Sequence, residues 1–144
     1  MPVERTSQPG LSVLGLTREV DWRSSDVSTV IITALDAVSA CLDGHPHGAA
    51  VVIYTPTGEH QARLHVGHQG VGPAPEGLTV EAIPAGSAAH LCHRGDYGGL
   101  PAAHQRIHRW MAQQGRATVG VHWEIYGPWS DDPDQLVTDV YYAL

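Results

Sequence analysis

The chain has 144 residues, the usual length of one domain, and its 42% apolar content is enough to form a buried core without disulfides or metals. Eight arginines, no lysine and 15 acidic residues give a formal charge of -7. Nucleic-acid-binding domains normally carry a basic surface, so this charge argues against a nucleic-acid partner. No apolar stretch approaches ~18 residues and the N-terminus lacks a signal pattern, so we expect a cytoplasmic protein without a membrane segment.

The first half of the chain shows a polar start, one amphipathic helix and three strand-like segments. Prolines and a glycine in a polar context predict a flexible N-terminal tail, which leaves one domain at 11–144. β-branched and alternating apolar runs predict the strands, and apolar residues at helical spacing predict the helix. In chain order, we predict a tail at 1–10, a strand at 11–20, a helix at 27–42 and strands at 49–55 and 61–66.

The second half repeats this order after a loop rich in glycine and proline. An interrupted strand comes first, followed by a second helical stripe that begins near Pro101 and ends at Gly115. Two further strands complete the chain. The predicted ranges are 67–77 for the loop, 78–83 and 88–93 for the interrupted strand, and 118–126 and 136–143 for the last two strands.

The order strand, helix, strand, strand therefore occurs twice. Ile53-Tyr54-Thr55-Pro56 also has a counterpart in Ile125-Tyr126-Gly127-Pro128. Two β-α-β-β units commonly associate about a pseudo-twofold axis. We therefore predict an α+β fold in which a duplicated, SHS2-like unit forms one antiparallel sheet. Both helices would cover one face of that sheet, and the other face would curve around a ligand.

Glu124 is the most unusual residue of the last third, because it is a lone acid within the apolar, strand-like run 121–126. Side chains alternate across a strand, so His122, Glu124 and Tyr126 should share one face. Trp123 and its odd-numbered neighbours would occupy the face that meets the helices. In an apolar site the pKa of Glu124 would rise, and the carboxyl would attract a cation or act as an acid or base. The alternative is an acid on a solvated face of the sheet.

Several motifs in the last third follow the order seen in a known family. The first is His93-Arg94-Gly95-Asp96-Tyr97, which is similar to an "H-x-G-x-Y" helix entry. The second is Gly120 followed by Trp123-Glu124-Ile125-Tyr126 and Gly127-Pro128. The third is Thr138-Asp139-Val140-Tyr141 followed by Leu144. Over residues 93–144 the chain resembles the GyrI-like small-molecule-binding family. This family includes the effector-binding domains of AraC-type and MerR-type multidrug regulators. Asp96 departs from the family, which often has proline there.

The resemblance implies a central cleft whose floor carries Glu124. The N-terminal residues are too few and not basic enough for a helix-turn-helix, so we expect a free-standing ligand domain. The resemblance also implies lipophilic or cationic aromatic small molecules as ligands, attracted by the carboxylate and stacked on aromatic rings. His122 either hydrogen-bonds the carboxylate or a ligand, or lines the rim. The predicted ligand-binding residues are Trp22, Tyr54, Tyr97, His122, Glu124, Tyr126 and Tyr141.

Two other functions follow from the same resemblance. Some members of the family resemble hydrolases that open cyclopropane-bearing toxins by adding water. In such an enzyme Glu124 would act as general base and Tyr126 as proton donor. The gyrase-inhibitor member acts on a protein, so a protein partner is the third hypothesis.

The ten histidines raise the hypothesis of a metal site. His104 and His108 are four residues apart on the second predicted helix, but the glutamate of an H-E-x-x-H site is missing. Both fall at the edge of the apolar stripe, so we predict a solvated pair, no metal and no cofactor. Cys41 and Cys92 lack C-x-x-C spacing and are predicted to be buried thiols.

Overall fold

The computed structural model describes residues 2–116 and 120–144. This part of the chain forms eight strands and two α-helices. They are β1 Glu4–Gln8, β2 Leu11–Asp21, α1 Val27–Cys41, β3 Ala50–Pro56, β4 Gln61–Gln69, β5 Thr79–Ile83, β6 Gly86–Arg94, α2 Leu100–Gln113, β7 His122–Tyr126 and β8 Val137–Ala143. Short 3-10 turns at Tyr97–Gly99 and Pro133–Gln135 precede α2 and β8. The predicted start of the Glu124 strand, at 118, lies outside the described residues.

The described strands form one antiparallel sheet in the order β1-β6-β8-β7-β3-β4-β2-β5. The predicted α+β class, with an antiparallel sheet and two helices, is confirmed. The two middle strands, β7 and β3, come from different halves of the chain and pair directly. Strand, helix, strand, strand recurs in both halves. The origin of these halves as a duplicated unit about a pseudo-twofold axis stays a prediction.

The N-terminal segment is a strand, so the prediction of a flexible tail at 1–10 is wrong. Glu4–Gln8 pairs with β6 at the edge of the sheet, with Glu4 opposite His90. Its residues are polar and mostly exposed, and therefore show no alternation of apolar side chains. Backbone hydrogen bonds to β6 hold this strand, and such bonds leave no pattern in the sequence.

A close approach of β2 and β4 depends on two glycines. Gly15 and Gly67 face each other in the register. A Cβ on Gly15 would lie 2.1 Å from the carbonyl oxygen of Val66, and one on Gly67 would lie 2.0 Å from that of Leu14. The predicted loop at 67–77 therefore starts too early. Gly67 lies inside β4, which continues to Gln69, and its lack of a side chain permits the close backbone contact.

Both helices pack on one face of the sheet and leave its middle uncovered. α1 lies mainly on β2 and β4, and α2 lies mainly on β6 and β8. Ala34 of α1 packs with Leu64 and Val66, whereas Ile107 of α2 packs with Leu91. The face of β3 and β7 between the helices therefore remains open.

The opposite face is buried without any helix. Its core contains Val13, Val51, Ile53, Ile83, Ala88 and Trp123. The short connection between β5 and β6 joins one edge strand to the strand beside the other edge, so the sheet curls and closes this face on itself. Two predictions are therefore wrong: the cleft does not lie on the face away from the helices, and Trp123 does not face them.

The glycine contact gives a stability prediction. Gly15→Ala forces a Cβ into the backbone of β4, so we expect it to destabilise the protein by about 1–3 kcal/mol or more. Gly86→Ala is the matched control, because a Cβ there meets nothing within 4 Å. We expect the control to change stability by no more than about 0.5 kcal/mol. Urea unfolding followed by circular dichroism measures both, and equal stabilities would contradict the close approach.

Candidate functional site

A cleft of about 1350 Å³ opens between α1 and α2 over the middle of the sheet. Apolar residues of α1 form one wall, and α2 forms the other. Trp22, Tyr97 and Trp129 stand exposed at the mouth. The volume exceeds the ~300–1,000 Å³ of common small-molecule sites, so a polycyclic ligand fits. The floor and the α2 wall carry Tyr54, His122, Glu124, Tyr126, Tyr142, His104 and His108.

Glu124 lies on the floor of this cleft and is only 3% exposed. Its Oε1 accepts hydrogen bonds from the hydroxyls of Tyr54 at 2.7 Å and Tyr126 at 2.6 Å. Its Oε2 lies 2.8 Å from Nε2 of His104. Hydrogen bonds to a charged group contribute roughly 1.5–3 kcal/mol each. Together they offset the several kcal/mol that burying a carboxylate costs.

Strand register brings these partners together. Glu124 pairs with Val52 of β3 and Val140 of β8, so its side chain points to the helix-bearing face. Tyr126 lies two residues along the same strand and shares that face. Tyr54 lies two residues from Val52, which makes it a diagonal neighbour within reach of the carboxylate. The two tyrosines of the similar Ile-Tyr segments therefore meet on one carboxylate oxygen.

The pKa of Glu124 is lower than its ordinary value, so the rise expected for an apolar site does not occur. Burial alone raises it, but the hydrogen bond and charge of His104 and the hydrogen bonds from Tyr126 and Tyr54 outweigh that effect. Burial and the nearby Glu124 carboxylate raise the pKa of Tyr54 well above its usual range. The floor therefore holds an ionised carboxylate between neutral phenols.

A hydrogen-bonded chain runs from Glu124 along the α2 wall. Nδ1 of His104 lies 2.5 Å from the hydroxyl of Tyr142, and Nε2 of His108 lies 3.0 Å from the same oxygen. With a neutral His104 that donates Nε2–H to Glu124, Nδ1 accepts from Tyr142, which in turn accepts from His108. Each member then has a donor matched to an acceptor.

Four rings stand in a row across the floor. Trp22 stacks on Tyr54 with centroids 6.2 Å apart, Tyr54 on His122 at 4.8 Å, and His122 on Tyr142 at 4.5 Å. Burial is the main reason that the pKa of His122 falls to about 4, so this imidazole stays neutral at physiological pH. Its Nδ1–H donates to the carbonyl of Gly120 at 3.2 Å. The row packs flat rings face to face beside the carboxylate.

The H-x-G-x-Y motif fixes the start of α2 and thereby the position of His104. Nε2–H of His93 donates to the carbonyl of Asp96 at 2.8 Å. A Cβ on Gly99 would lie 2.6 Å from the His93 ring, so the turn packs tightly on this imidazole. Gly95 has φ +117°, a conformation that only glycine adopts readily.

Most of the predicted ligand-binding residues line the cleft. They are Trp22, Tyr54, Tyr97, His122, Glu124 and Tyr126. Tyr141 does not, because it lies on the opposite face between Trp123 at 5.5 Å and His90 at 4.6 Å. The prediction for Tyr141 is wrong because the register pairs His122 with Tyr142, which puts Tyr142 in the cleft.

The contribution of α2 to the site was not predicted from the sequence. The prediction of a solvated pair at His104 and His108 is wrong for His104, which is half-buried in the cleft wall and bonds Glu124; His108 is exposed, although it also lines the cleft. Their spacing beside buried Ala103 and Ile107 is the signal that identifies them. No pattern in the sequence of α2 identifies Glu124 of β7 as the hydrogen-bond partner of His104.

Residues 2–116 and 120–144 contain neither a candidate metal site nor a membrane-spanning helix. No group of three or more His, Cys, Asp or Glu residues in these ranges is arranged to hold a metal ion. No helix there is long and apolar enough to cross a membrane. Cys41 and Cys92 are free and half-buried, so they are less enclosed than predicted.

The GyrI-like small molecule binding domain model matches residues 1–144. The chain belongs to this family. No curated protein matches the sequence.

Solved structures of other proteins share this GyrI-like fold. The EcmrR C-terminal domain gives a TM-score of 0.73 at 14% identity, covering 99% of this chain and 96% of that one. SAV2435 bound to tetraphenylphosphonium gives 0.69 at 12% identity, with 99% and 93% covered. A hydrolase encoded by lin2189 from Listeria innocua gives 0.59 at 13% identity, with 97% and 90% covered. At such identities the likeness shows the fold alone.

His122 predicts a pH dependence of stability. Its pKa falls from 6.5 to about 4 on folding, so between these values the unfolded chain binds more protons. Stability conferred by the neutral ring is present above pH 6.5 and is lost as pH falls towards 4, by up to about 3 kcal/mol. We expect the free energy of unfolding of His122→Asn, measured in urea, to change less with pH between 4 and 6.5 than that of the wild type. His47→Asn, an exposed imidazole outside the row, should keep the wild-type profile, and an unchanged slope in His122→Asn would contradict the assignment.

Proposed function

We propose that this GyrI-like protein binds aromatic, often cationic, small molecules in the cleft between α1 and α2. The observation that carries the proposal is the ionised, buried Glu124 on the floor of a large cleft with a row of flat rings. SAV2435, which has the same fold, is known bound to tetraphenylphosphonium, an aromatic cation. That complex supports the ligand class proposed for this chain.

The carboxylate and the rings contribute differently to such binding. A cation at ~4 Å from a carboxylate gains a few kcal/mol at an effective dielectric of ~20. A ring face adds roughly 0.5–2 kcal/mol through cation–π contact. Neither interaction depends strongly on ligand shape, so a cleft built from both suits ligands of varied structure. The apolar α1 wall, with Val27, Ile31 and Leu35, suits their uncharged parts.

Replacing the floor carboxylate tests this proposal. Glu124→Gln removes the charge and keeps the side-chain shape, so we expect tetraphenylphosphonium to bind at least about tenfold more weakly. Quenching of tryptophan fluorescence follows binding, because Trp22 and Trp129 line the mouth. Glu76→Gln removes the same charge from an exposed loop outside the cleft and should leave the affinity within about twofold. Full affinity in Glu124→Gln would reject the electrostatic role of the floor.

A second candidate function is hydrolysis of cyclopropane-bearing electrophiles. Direct contact of Glu124 with Tyr126 favours it, because a base and a proton donor then touch each other in one cleft. Glu124 would take a proton from water as the hydroxyl oxygen bonds to a cyclopropane carbon. The ring C–C bond breaks, and its electron pair passes into the conjugated ring as a phenolate. Tyr126 protonates that oxygen and regains its proton from Glu124.

Mass spectrometry separates the two functions. If the protein is a hydrolase, a spirocyclopropyl dienone will gain one water with many turnovers per protein molecule. Tyr126→Phe should reduce the rate about 100-fold or more, because the donor to the phenolate is lost. The same variant should bind tetraphenylphosphonium within about threefold of wild type, since the ring face remains. A stoichiometric complex without product would exclude the hydrolase and leave the binding function intact.

A further inference from the structure

We propose that His104 determines which ligand charge the cleft accepts, and that binding of an aromatic cation is coupled to loss of a proton from the cleft. The inference rests on the proposed function, since it concerns the same floor. The role belongs to His104 of α2. Binding through the carboxylate and the row of rings does not by itself need an imidazole at this position.

His104 is the more exposed member of the pair that it forms with Glu124. The two tyrosine hydroxyls bond Oε1 of Glu124, and Nε2 of His104 bonds Oε2. Both residues line the cleft, but the side chain of His104 is 20% exposed and that of Glu124 is 4% exposed. A ligand cation drawn to the carboxylate therefore comes close to the imidazole as well.

The protonation state of His104 sets the net charge of this pair. A neutral imidazole that donates Nε2–H leaves the pair with one negative charge, which attracts a cation. An imidazolium makes the pair neutral and places a positive charge where the cation would lie. Two like charges at ~4 Å in a partly buried site oppose each other by a few kcal/mol. A bound cation therefore disfavours the imidazolium, and the proton leaves.

Tyr142 and His108 accommodate both states without breaking the hydrogen-bonded chain. When His104 is neutral, its Nδ1 accepts from Tyr142. When it is protonated, Nδ1–H donates to the Tyr142 oxygen, and Tyr142 then donates to Nε2 of a neutral His108. Burial, followed by the charge of His104, lowers the pKa of His108, which favours that neutral form. The chain reverses direction and each polar atom keeps a partner.

Apart from the Glu124 carboxylate, the titratable side chains in contact with this pair stay uncharged near neutral pH. β3, β7 and β8 contribute neutral phenols and His122, whose pKa of about 4 keeps it uncharged. Burial raises the phenol pKa values of Tyr54, Tyr126 and Tyr142. α1, all of whose residues are described, brings no titratable side chain to the cleft. Further out, the cleft is lined by Tyr97, Glu59, His68 and Asp139.

Tetraphenylphosphonium and tetraphenylborate provide the test, because they share a shape and carry opposite charges. Calorimetric titration should show that phosphonium binds more weakly as the pH is lowered from 8 to 5, by up to about tenfold per unit. Buffers of different ionisation enthalpy should reveal up to one proton released per cation bound. Tetraphenylborate affinity should change in the opposite direction.

His104→Gln is the informative variant. Glutamine keeps an N–H donor for Glu124 but carries no proton in this range, so phosphonium affinity should vary by less than about threefold between pH 8 and 5, without proton release. His47→Gln is the matched control: it removes an exposed imidazole that does not line the cleft. The control should retain a falling affinity with pH, whatever its absolute affinity.

The outcomes are distinct. Phosphonium binding that is independent of pH in wild type, or equally dependent on pH in wild type and His104→Gln, overturns the role of His104 and leaves the proposed binding function in place. Absence of phosphonium binding at every pH overturns both proposals. Loss of the pH dependence in His104→Gln, with the pH dependence kept in the control variant, supports the assignment.

Discussion

The register between β7 and its neighbours β3 and β8 determines which side chains meet in this protein. It points Glu124 to the helix-bearing face and aligns Tyr54, His122 and Tyr142 in one row beside it. A shift of one residue would move the carboxylate into the curled face, among Val51, Ile53 and their apolar neighbours and away from Tyr54 and His104. The apolar core on that face therefore helps to fix the register that builds the polar floor of the cleft.

The buried carboxylate of Glu124 in turn needs hydrogen-bond donors from several parts of the molecule. Tyr54 and Tyr126 come from the two halves of the chain, so the central strand pair must form before both can donate to Glu124. The third donor, His104, depends on where α2 begins, and the His93 turn fixes that point. Since an unpaired charge at this depth costs several kcal/mol, the helices, the central strands and the turn stabilise one another through a single residue.

The sequence was sufficient for the class of fold, the alternation around Glu124 and most of the rings near it. It was not sufficient where the answer depended on pairing between distant strands. Tyr141 and Tyr142 are adjacent, and only the register with His122 decides which one enters the cleft. β1 is held by backbone hydrogen bonds, so its side chains carry no pattern. His104 lies at the edge of the apolar stripe of α2. That edge forms a cleft wall only because β3 and β7 separate the two helices.

The donors that make a buried Glu124 tolerable also weaken its attraction for a cation, because each draws on the same negative charge. The tyrosines do so weakly, since they stay neutral and only polarise the carboxylate. An imidazole can neutralise the pair completely, but it can also give up its charge when another cation arrives. A floor with tyrosine donors alone would therefore attract cations wherever Glu124 is ionised, whereas one that includes His104 makes cation binding conditional on that proton. The same contact that satisfies Oε2 is thus the natural place for the cleft to discriminate between charged and neutral ligands.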